Sequence, residues 1–463
     1  MPFPDPSQLS IDTLPEQLSL PRWSRGVGRS SLDVTIRPPG SKSLTNRALL
    51  LAAIGPGEST INHPLIEADD AHRMLAAIQQ LGARVEHDEH SVRITGTNGK
   101  LLVDPSNSTI NLNNAGTATR FLSAAALLAD GPMTITGNER MQQRPIRELG
   151  DLLTTLGATV EYLKDNSCPP IRITPPNDLS SIPTTVVIQP TQSSQFVSAL
   201  MLIAPMLPNG LTITQPNGIT SESYVRMTLE LLDHLGVQTQ HSGDLSVIRI
   251  QQGMDRFVLD IEPDASGATY WWAAGVLLPD SLVRVQGIDQ RQSQQGDAQF
   301  PELLEQMGCT IVTGEDTIAC RGTSSLRPIM CDMRDMPDAV MSLASIACFT
   351  KGTTIIRGVK TLRVKECDRI EAMKTELGKL GVTIADNLNG DEDTLSITPP
   401  SDFRSPESPV YMDTYDDHRM AMSLSLLALR LDNIVINDPK CVAKTYPGFY
   451  HDLRRVYDPA EVV

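Results

Sequence analysis

The 463-residue chain has no long apolar run, no excess of positive charge and no C-x-x-C pair of cysteines. No apolar stretch approaches the roughly 18 residues that cross a bilayer, which excludes a membrane-spanning protein. With 39 basic and 55 acidic residues the net charge is −16, which argues against nucleic acids and anionic membranes as partners. The seven cysteines are odd in number, which favours reduced thiols in a cytoplasm over a disulfide framework or a zinc site.

The N-terminal residues contain proline and acidic side chains but no basic segment followed by an apolar one. A signal peptide is therefore not expected. We predict a loosely ordered N-terminal extension over residues 1–30 and a protein that stays in the cytoplasm.

What the chain does contain is a unit of roughly 75 residues that recurs along its length. Each of five copies has a helix-like run that ends in Leu-Gly or Met-Gly and continues as a strand. These glycines follow one another at intervals of 75, 79, 72 and 73 residues, at positions Gly82, Gly157, Gly236, Gly308 and Gly381. Glycine directly after a helix is typical of a left-handed helix stop. The pattern predicts a small α/β subdomain that is used several times.

A second marker of the repeat is a strand that runs into a polar turn and then into an apolar helix. Side chains of Ser, Thr, Asn and Asp at such turns can cap the helix that follows. The six turns are Leu32–Ser43, Thr109–Thr117, Thr185–Ser194, Phe257–Ser266, Pro328–Asp338 and Pro409–Asp417. The sixth unit lacks its closing strands, so we expect the strand at Leu32–Arg37 to complete the last sheet and the two chain ends to share one domain.

Six units and a length of 463 residues predict two domains of three units each. Basic residues gather at the polar turns although the chain as a whole is acidic. They are Lys42, Arg47, Arg120, Arg144, Lys365, Arg369, Arg419 and Lys444. For any one of them a solvated surface charge is the simpler interpretation. Because they recur in register with the repeat, at helix N-termini that attract anions, they predict a site for a small anionic ligand.

The turns also resemble those of the 5-enolpyruvylshikimate-3-phosphate synthase family, in order and over residues 33–453. The matching segments are GSKSLTNRALLLAA (40–53), NAGTATR (114–120), QQRPI (142–146), SSQF (193–196), SESY (221–224), DASGATY (264–270), MPDAV (336–340), RVKECDRIEAM (363–373), YDDHRMAM (415–422) and PKCVAKTYP (439–447). Several of these motifs are short, but ten in sequence make a chance match improbable.

The resemblance implies an α/β fold of the inverted (inside-out) barrel type, with two domains each of three βαβαββ units. The first domain would span 42–261, and the second 31–41 plus 262–463, with chain crossings at Pro38–Lys42 and Glu262–Asp264 and the active site in the cleft between the domains. The implied reaction transfers the enolpyruvyl group of phosphoenolpyruvate to the 5-hydroxyl of shikimate 3-phosphate, without a metal or organic cofactor. The family is the target of glyphosate, a phosphonate that resembles phosphoenolpyruvate.

The resemblance also implies which residues bind the two substrates. Shikimate 3-phosphate would be held by Lys42, Ser43, Arg47, Ser193, Ser194, Gln195, Ser221, Tyr224, Asp338 and Lys365. Phosphoenolpyruvate would be held by Lys42, Gly116, Arg144, Gln195, Arg369, Arg419 and Lys444. In this assignment Arg47 binds the shikimate carboxylate in a bidentate manner, and Gly116 allows close approach of the backbone to the ligand.

Three residues are candidates for proton transfer: Asp338 as base for the 5-hydroxyl, Glu366 as acid to C3, and Lys42. Simpler roles are open for two of these positions, because Asp338 can act as a helix cap and Glu366 as a partner of Arg369 at i,i+3 spacing. Ser194 is a second candidate cap. The step that each group performs is left open.

Three positions depart from the family pattern: Thr361 stands where many members have Asn, Phe121 where many have Pro, and Arg147 where Gly is usual.

Two other functions are considered. A related transferase that acts on a UDP-amino sugar carries a reactive cysteine, and none lies near Gln142–Pro145. A non-catalytic paralogue would have lost some of the proton-transfer residues, which are all present. We expect a monomer.

Overall fold

The computed structural model describes residues 3–23, 32–164, 166–189, 193–278 and 281–458. The strands in these ranges are β1 (Gln17–Leu20), β2 (Asp33–Ile36), β3 (Glu58–Asn62), β4 (Arg84–His87), β5 (Ser91–Thr95), β6 (Thr109–Asn111), β7 (Met133–Thr136), β8 (Thr159–Tyr162), β9 (Ile171–Thr174), β10 (Thr185–Val187), β11 (Leu211–Thr214), β12 (Thr239–His241), β13 (Val247–Ile250), β14 (Val258–Asp260), β15 (Leu282–Gln286), β16 (Thr310–Thr313), β17 (Thr317–Arg321), β18 (Met330–Asp332), β19 (Thr354–Arg357), β20 (Thr383–Leu388), β21 (Asp391–Thr398), β22 (Val410–Met412) and β23 (Ile434–Asn437). The α-helices are α1 (Lys42–Ile54), α2 (Asp69–Gln80), α3 (Gly116–Ala125), α4 (Arg147–Thr155), α5 (Gln195–Ile203), α6 (Glu222–His234), α7 (Ala265–Leu277), α8 (Phe300–Gln306), α9 (Val340–Ala347), α10 (Arg369–Gly378), α11 (His418–Ser425) and α12 (Phe449–Tyr457).

The repeat takes the form of small sheets with one shared strand order. In the third unit this order is β10-β11-β13-β12. The first pair is parallel, because a helix lies between its strands in the chain, and the other two pairs are antiparallel. The same order recurs in the sheets β14-β3-β5-β4, β6-β7-β9-β8, β2-β15-β17-β16 and β18-β19-β21-β20.

The strand that completes the last unit is not the one that the sequence predicts. Its sheet has the order β1-β23-β22, and β1 is antiparallel to β23. The predicted strand at Leu32–Arg37 contains β2, which instead pairs in parallel with β15 of the fourth unit. In the third unit the equivalent strand, β11, has one parallel and one antiparallel neighbour. β22 is the parallel neighbour of β23. The other side of β23 therefore takes an antiparallel strand, and residues 17–20 fill this position.

Residues 3–23 are therefore not a loosely ordered extension, and that prediction is wrong for this segment. Leu9, Leu14 and Leu18 are buried in the core, and the indole Nε1 of Trp23 donates to the carbonyl of Val456 at 3.1 Å. The alternation of buried and exposed residues in β1 is only four residues long, too short to stand out among prolines. The rest of the predicted extension, residues 1–2 and 24–30, lies outside the described residues.

The predicted glycine stops are confirmed. The five repeat glycines after α2, α4, α6, α8 and α10 have φ between 80° and 97°, at Gly82, Gly157, Gly236, Gly308 and Gly381. An L-residue with a side chain is strained in this conformation, whereas glycine adopts it freely.

The chain divides into two compact units, Gly40–Glu262 and Met1–Pro39 with Pro263–Val463. In the first unit α1, α3 and α5 lie in the core and are buried on nearly every side. In the second unit α7, α9 and α11 take the same place. A helix that is apolar on all sides is stable only in a core. Because its sides are buried there, charged side chains can be placed at its start.

The prediction of capped helix starts is partly confirmed. Side chains of Ser41, Asp264 and Asp417 accept hydrogen bonds from the first-turn amides of α1, α7 and α11. Ser194 makes no such bond at α5, and Asp338 lies inside a short 3₁₀ segment, Pro337–Ala339, before α9. Ser194 therefore occupies the N-cap position of α5 without making a capping bond, and the cap interpretation is wrong for Asp338. Among the described residues, no helix is long and apolar enough to cross a membrane.

Candidate active site

In the unit that contains the chain termini, the predicted charged residues form one connected network. Asp338 is its centre. Its Oδ1 accepts from Arg369 Nη1 at 2.8 Å, and its Oδ2 accepts from Arg419 Nη2 at 2.9 Å. Lys365 Nζ lies 3.5 Å from Oδ1. The carboxylate is thus held in place by two buried guanidinium groups, which are rigid, planar donors.

Glu366 makes a second contact to Arg369 and joins one further cation, Lys444, to the network. Its Oε2 accepts from Arg369 Nη2 at 3.0 Å, and its Oε1 lies 3.2 Å from Lys444 Nζ. The i,i+3 contact with Arg369 is present, but it is not the only interaction of this carboxylate. Glu366 therefore lies between two residues that were predicted to bind phosphoenolpyruvate.

Asp417 is a member of the network that the sequence did not indicate as a site residue. It is fully buried and accepts from Arg369 Nε at 2.8 Å, and it also caps α11 by accepting from the Arg419 amide at 2.9 Å. Burial acts to lower the pKa of Arg369, but Asp417, Glu366 and Asp338 together outweigh it and raise that pKa. Arg369 therefore remains charged in the core.

Two other buried groups surround Arg419. The hydroxyl of Tyr270 lies 3.5 Å from Arg419 Nη1. Asp297, in the 3₁₀ segment before α8, is 3% exposed. Burial first, and Asp338 second, raise the pKa of Asp297 to about 7. Neither residue was predicted as a site residue: Tyr270 lies in the matching segment 264–270 but was given no role, and a lone Asp carries no sequence signal.

Lys365 is a cation of this network whose charge is disfavoured by burial. Burial lowers its pKa, while the nearby Asp338 carboxylate opposes that shift. Charged lysine in a low-dielectric environment is stabilised by an anion, so this position favours binding of a further negative group.

In the unit Gly40–Glu262, Arg47 is almost entirely engaged by the protein. Its Nε donates to Thr228 Oγ1 at 2.8 Å, and its Nη2 donates to Ser198 Oγ at 3.2 Å and to the Tyr224 carbonyl at 3.1 Å. Its Nη1 donates to the Ser43 carbonyl at 2.9 Å. Within the described residues, one N–H of the five is not used by the protein, so the predicted bidentate contact with a carboxylate requires one of these bonds to break. Burial lowers the pKa of Arg47 to about 10.

Phe121, one of the departures from the family pattern, has a defined role beside Arg47. Its buried ring lies 5.2 Å from Arg47 Cζ, in a cation–π arrangement. The second departure, Arg147, donates through Nε to Ser167 Oγ at 2.6 Å. The third, Thr361, has a buried Oγ1 that lacks a hydrogen-bond partner within the described part of the chain.

Gly116 and Arg144 are in direct contact at the start of α3. A Cβ added to Gly116 would lie 2.7 Å from both Nη1 and Nη2 of Arg144. The side chain of Arg144 is 5% exposed, and its Nη1 lies 3.4 Å from Asn114 Oδ1. Nearby, Gln195 Nε2 donates to Thr117 Oγ1 at 3.2 Å. The structure thus brings three predicted phosphoenolpyruvate ligands to two neighbouring helix starts.

The remaining predicted residues of this unit also lie at helix starts. Lys42 is the first residue of α1, and its Nζ lies 3.5 Å from Asp70, a partner that the sequence did not indicate. Ser193 Oγ accepts from the Gln195 amide at 3.3 Å. Ser221 precedes α6 in the left-handed conformation, with φ of 49°. No group of three or more His, Cys, Asp or Glu in the described ranges is placed to hold a metal ion.

The fold is that of the enolpyruvyl transferases. A solved EPSP synthase from Acinetobacter baumannii matches with a TM-score of 0.73 at 24% identity and covers 95% of this chain and 98% of its own. The enolpyruvyl transferase NikO from Streptomyces tendae matches with a TM-score of 0.69 at 18% identity, over 95% of this chain and 96% of its own. The predicted fold class, an inverted α/β barrel in two domains, is confirmed.

Sequence comparison is more specific. Curated proteins named 3-phosphoshikimate 1-carboxyvinyltransferase are similar to this chain: 40% identical in Shewanella sediminis, over 90% of this chain and 95% of that protein, and 39% identical in Paraburkholderia phymatum, over 96% and 100%. The family model for EPSP synthase (3-phosphoshikimate 1-carboxyvinyltransferase) matches residues 27–453. The chain belongs to the EPSP synthase family, as the resemblance of its turns implied.

Proposed function

We propose that this chain transfers the enolpyruvyl group of phosphoenolpyruvate to the 5-hydroxyl of shikimate 3-phosphate and releases phosphate. Membership of the EPSP synthase family supports this reaction. The observation that carries it is the position of Asp338, a carboxylate bound on both oxygens by arginines and next to a second carboxylate, Glu366. The reaction needs a base, an acid and several cations, and this network contains all three.

The chemistry proceeds in two steps. In the addition, the 5-oxygen of shikimate 3-phosphate bonds to C2 of phosphoenolpyruvate and gives its proton to the Asp338 carboxylate, while Glu366, as the protonated acid, donates a proton to C3. In the elimination, the Glu366 carboxylate takes a proton from C3, the double bond re-forms, and the C2–oxygen bond to phosphate breaks with its electron pair going to phosphate. The proton held by Asp338 passes to the released phosphate, so both carboxyl groups return to their starting states. Positioned acids and bases of this kind accelerate proton transfer about 10²–10⁴-fold.

The carboxylate and the phosphate of phosphoenolpyruvate are bound by different groups. Arg369 and Arg419 take its carboxylate. In support, Arg419 Nε is buried and has no hydrogen-bond partner in the described ranges, and a buried donor of this kind favours an anionic acceptor. Arg144, Gln195 and Lys444 take its phosphate, and the backbone at Gly116 approaches it closely.

Shikimate 3-phosphate is bound mainly through its two anionic groups. Its 3-phosphate is held by Ser193, Ser194, Ser221 and Lys365. Its carboxylate is held by Arg47, through the N–H that the protein leaves available. Tyr224 and Ser43 border the same position. Lys42 stabilises charge on the bridging oxygen or takes part in proton transfer.

The two units are proposed to be the two domains of one enzyme that acts as a monomer in the cytoplasm. The proposed contacts to both substrates come from one chain, so a second copy is not needed to complete the site. All seven cysteines lie in the described part of the chain and none forms a disulfide, as a reducing compartment favours.

The test is an assay of phosphate release with purified protein and no added metal. Release is expected only when phosphoenolpyruvate and shikimate 3-phosphate are both present. Release with a UDP-amino sugar in place of shikimate 3-phosphate would assign the chain to the related transferase. No release with either acceptor would favour a non-catalytic paralogue.

A further inference from the structure

Glu376 is a fully buried carboxylate near the end of α10, the helix that begins at Arg369. It accepts hydrogen bonds from Lys379 Nζ at 2.6 Å, from the amide of Asp413 at 2.9 Å and from the hydroxyl of Tyr415 at 2.7 Å. Two of these donors belong to the segment between β22 and α11. A buried carboxylate is stable only when its oxygens are bound in this way.

The segment that Glu376 holds has an unusual backbone. Tyr415 and Asp416 have φ of 58° and 54°, so two successive residues with side chains are left-handed. L-residues avoid this conformation unless the surrounding structure maintains it. Burial first, and the Glu376 bond second, raise the pKa of Tyr415, so its hydroxyl keeps the proton that it donates.

Asp417 follows this turn directly and accepts from Arg369 Nε at 2.8 Å. Helix α10 is thus attached to the segment 413–417 at both ends. Arg369 binds Asp417 at the start of the helix, and Glu376 binds Asp413 and Tyr415 near its end. Arg369 and Glu376 are seven residues apart, two helical turns, which places both on one face of α10.

We propose that Glu376 and Tyr415 are positioning residues for phosphoenolpyruvate binding. They hold the left-handed turn in the conformation that brings Asp417 against Arg369, and Asp417 in turn orients the Arg369 guanidinium. This inference rests on the proposed function, in which Arg369 binds the phosphoenolpyruvate carboxylate. A purely structural role for Glu376 predicts instead that loss of its bonds weakens the whole unit and affects both substrates equally.

The decisive variant is Tyr415→Phe, which removes one hydroxyl and leaves a ring that is 41% exposed. We expect KM for phosphoenolpyruvate to rise about tenfold, the factor that corresponds to one lost hydrogen bond. KM for shikimate 3-phosphate should stay within about twofold. Glu376→Gln keeps an oxygen acceptor and should show the same split. If Glu376→Gln fails to fold, Tyr415→Phe alone decides the question.

Lys374→Met is the matched control, because Lys374 lies on the same helix and pairs with Glu371 and Asp386 rather than with the turn. Its kinetic constants should equal those of the wild type. A Tyr415→Phe enzyme with unchanged KM for phosphoenolpyruvate, or with both KM values raised equally, would overturn the proposal.

Hydrogen exchange separates this proposal from the proposed function. The amides of residues 413–419 should exchange faster in Tyr415→Phe than in the wild type, whatever the activity of either protein. Faster exchange in Tyr415→Phe, combined with a wild-type protein that releases no phosphate, would retain the role of Glu376 and Tyr415 in holding the turn and refute the reaction. Unchanged exchange in an active enzyme would refute the positioning role alone.

Discussion

Arg419 Nη2 donates to Asp338 Oδ2 across 2.9 Å in a part of the core where both residues are at least nine-tenths buried. A carboxylate in such a place is held by its partners, and removal of one partner leaves the other charge uncompensated. Asp338 is therefore positioned more rigidly than a surface base. Its loss should lower turnover more than it weakens binding of shikimate 3-phosphate.

The first prediction is that Asp338→Asn lowers kcat by about 10²–10⁴-fold, because the amide cannot accept the 5-hydroxyl proton. Binding of shikimate 3-phosphate, measured by calorimetry, should largely survive, since its phosphate and carboxylate ligands are unchanged. Asp335→Asn, at an exposed residue of the same loop, is the control and should leave turnover unchanged. Near-normal turnover in Asp338→Asn would refute its role as the base.

The second prediction concerns Gly116→Ala. The new Cβ would lie 2.7 Å from the Arg144 guanidinium, so this side chain must shift. We expect KM for phosphoenolpyruvate and the inhibition constant for glyphosate to rise, and KM for shikimate 3-phosphate to change little. Steady-state kinetics measure all three.

The control for this substitution is Gly378→Ala at the end of α10, where an added Cβ meets nothing within 4 Å. Alanine there should be neutral or slightly stabilising, because it favours the helix by up to ~1 kcal/mol over glycine. If Gly116→Ala binds phosphoenolpyruvate as the wild type does, Arg144 is not one of its ligands.

The third prediction is that Phe121→Leu raises KM for shikimate 3-phosphate about three- to tenfold, because it removes the buried cation–π contact to Arg47. KM for phosphoenolpyruvate should change less. Tyr162→Leu is a close control, because its ring lies 5.2 Å from Arg147 Cζ, the same geometry at a pair with no proposed ligand. Equal effects of the two substitutions would show that the Phe121 contact has no special role.

The fourth prediction follows from Asp297, whose pKa is raised to about 7 by burial and by Asp338. In the unfolded chain this group has a pKa of about 3.9, so between these two values the folded protein binds more protons. Its contribution to the free energy of unfolding therefore falls as pH rises from about 4 to about 7.

Asp297→Asn removes this titration. Its thermal midpoint relative to that of the wild type should rise by a few degrees between about pH 5 and pH 8, as calorimetry at several pH values would measure. Parallel curves for the two proteins across this range would contradict the raised pKa.

The repeat could be predicted from the sequence because its signals are local. A glycine directly after a helix and a polar cluster before one are determined by backbone geometry, and the five glycines have the predicted left-handed φ. The basic residues of the site could be predicted because they recur at these turns. The substrate assigned to each of them followed from the family resemblance.

The partners of those cations could not be predicted in the same way. Asp417 and Asp297 contact or influence residues that are distant in the chain. From the sequence, a single buried aspartate cannot be distinguished from a helix cap or an exposed surface charge. The engagement of four of the five Arg47 N–H groups likewise depends on Thr228 and Ser198, which are polar residues in otherwise apolar helices. Such contacts are defined by packing, not by local pattern.

The pairing of β1 with β23 has a consequence for biosynthesis. Gln17 pairs with Asn437, so Gln17–Leu20 leave the ribosome long before their partner strand Ile434–Asn437. The last sheet can close only when β23 has emerged as well, and contacts of such long range form slowly. Until then the nascent N-terminal segment must remain soluble without its partner.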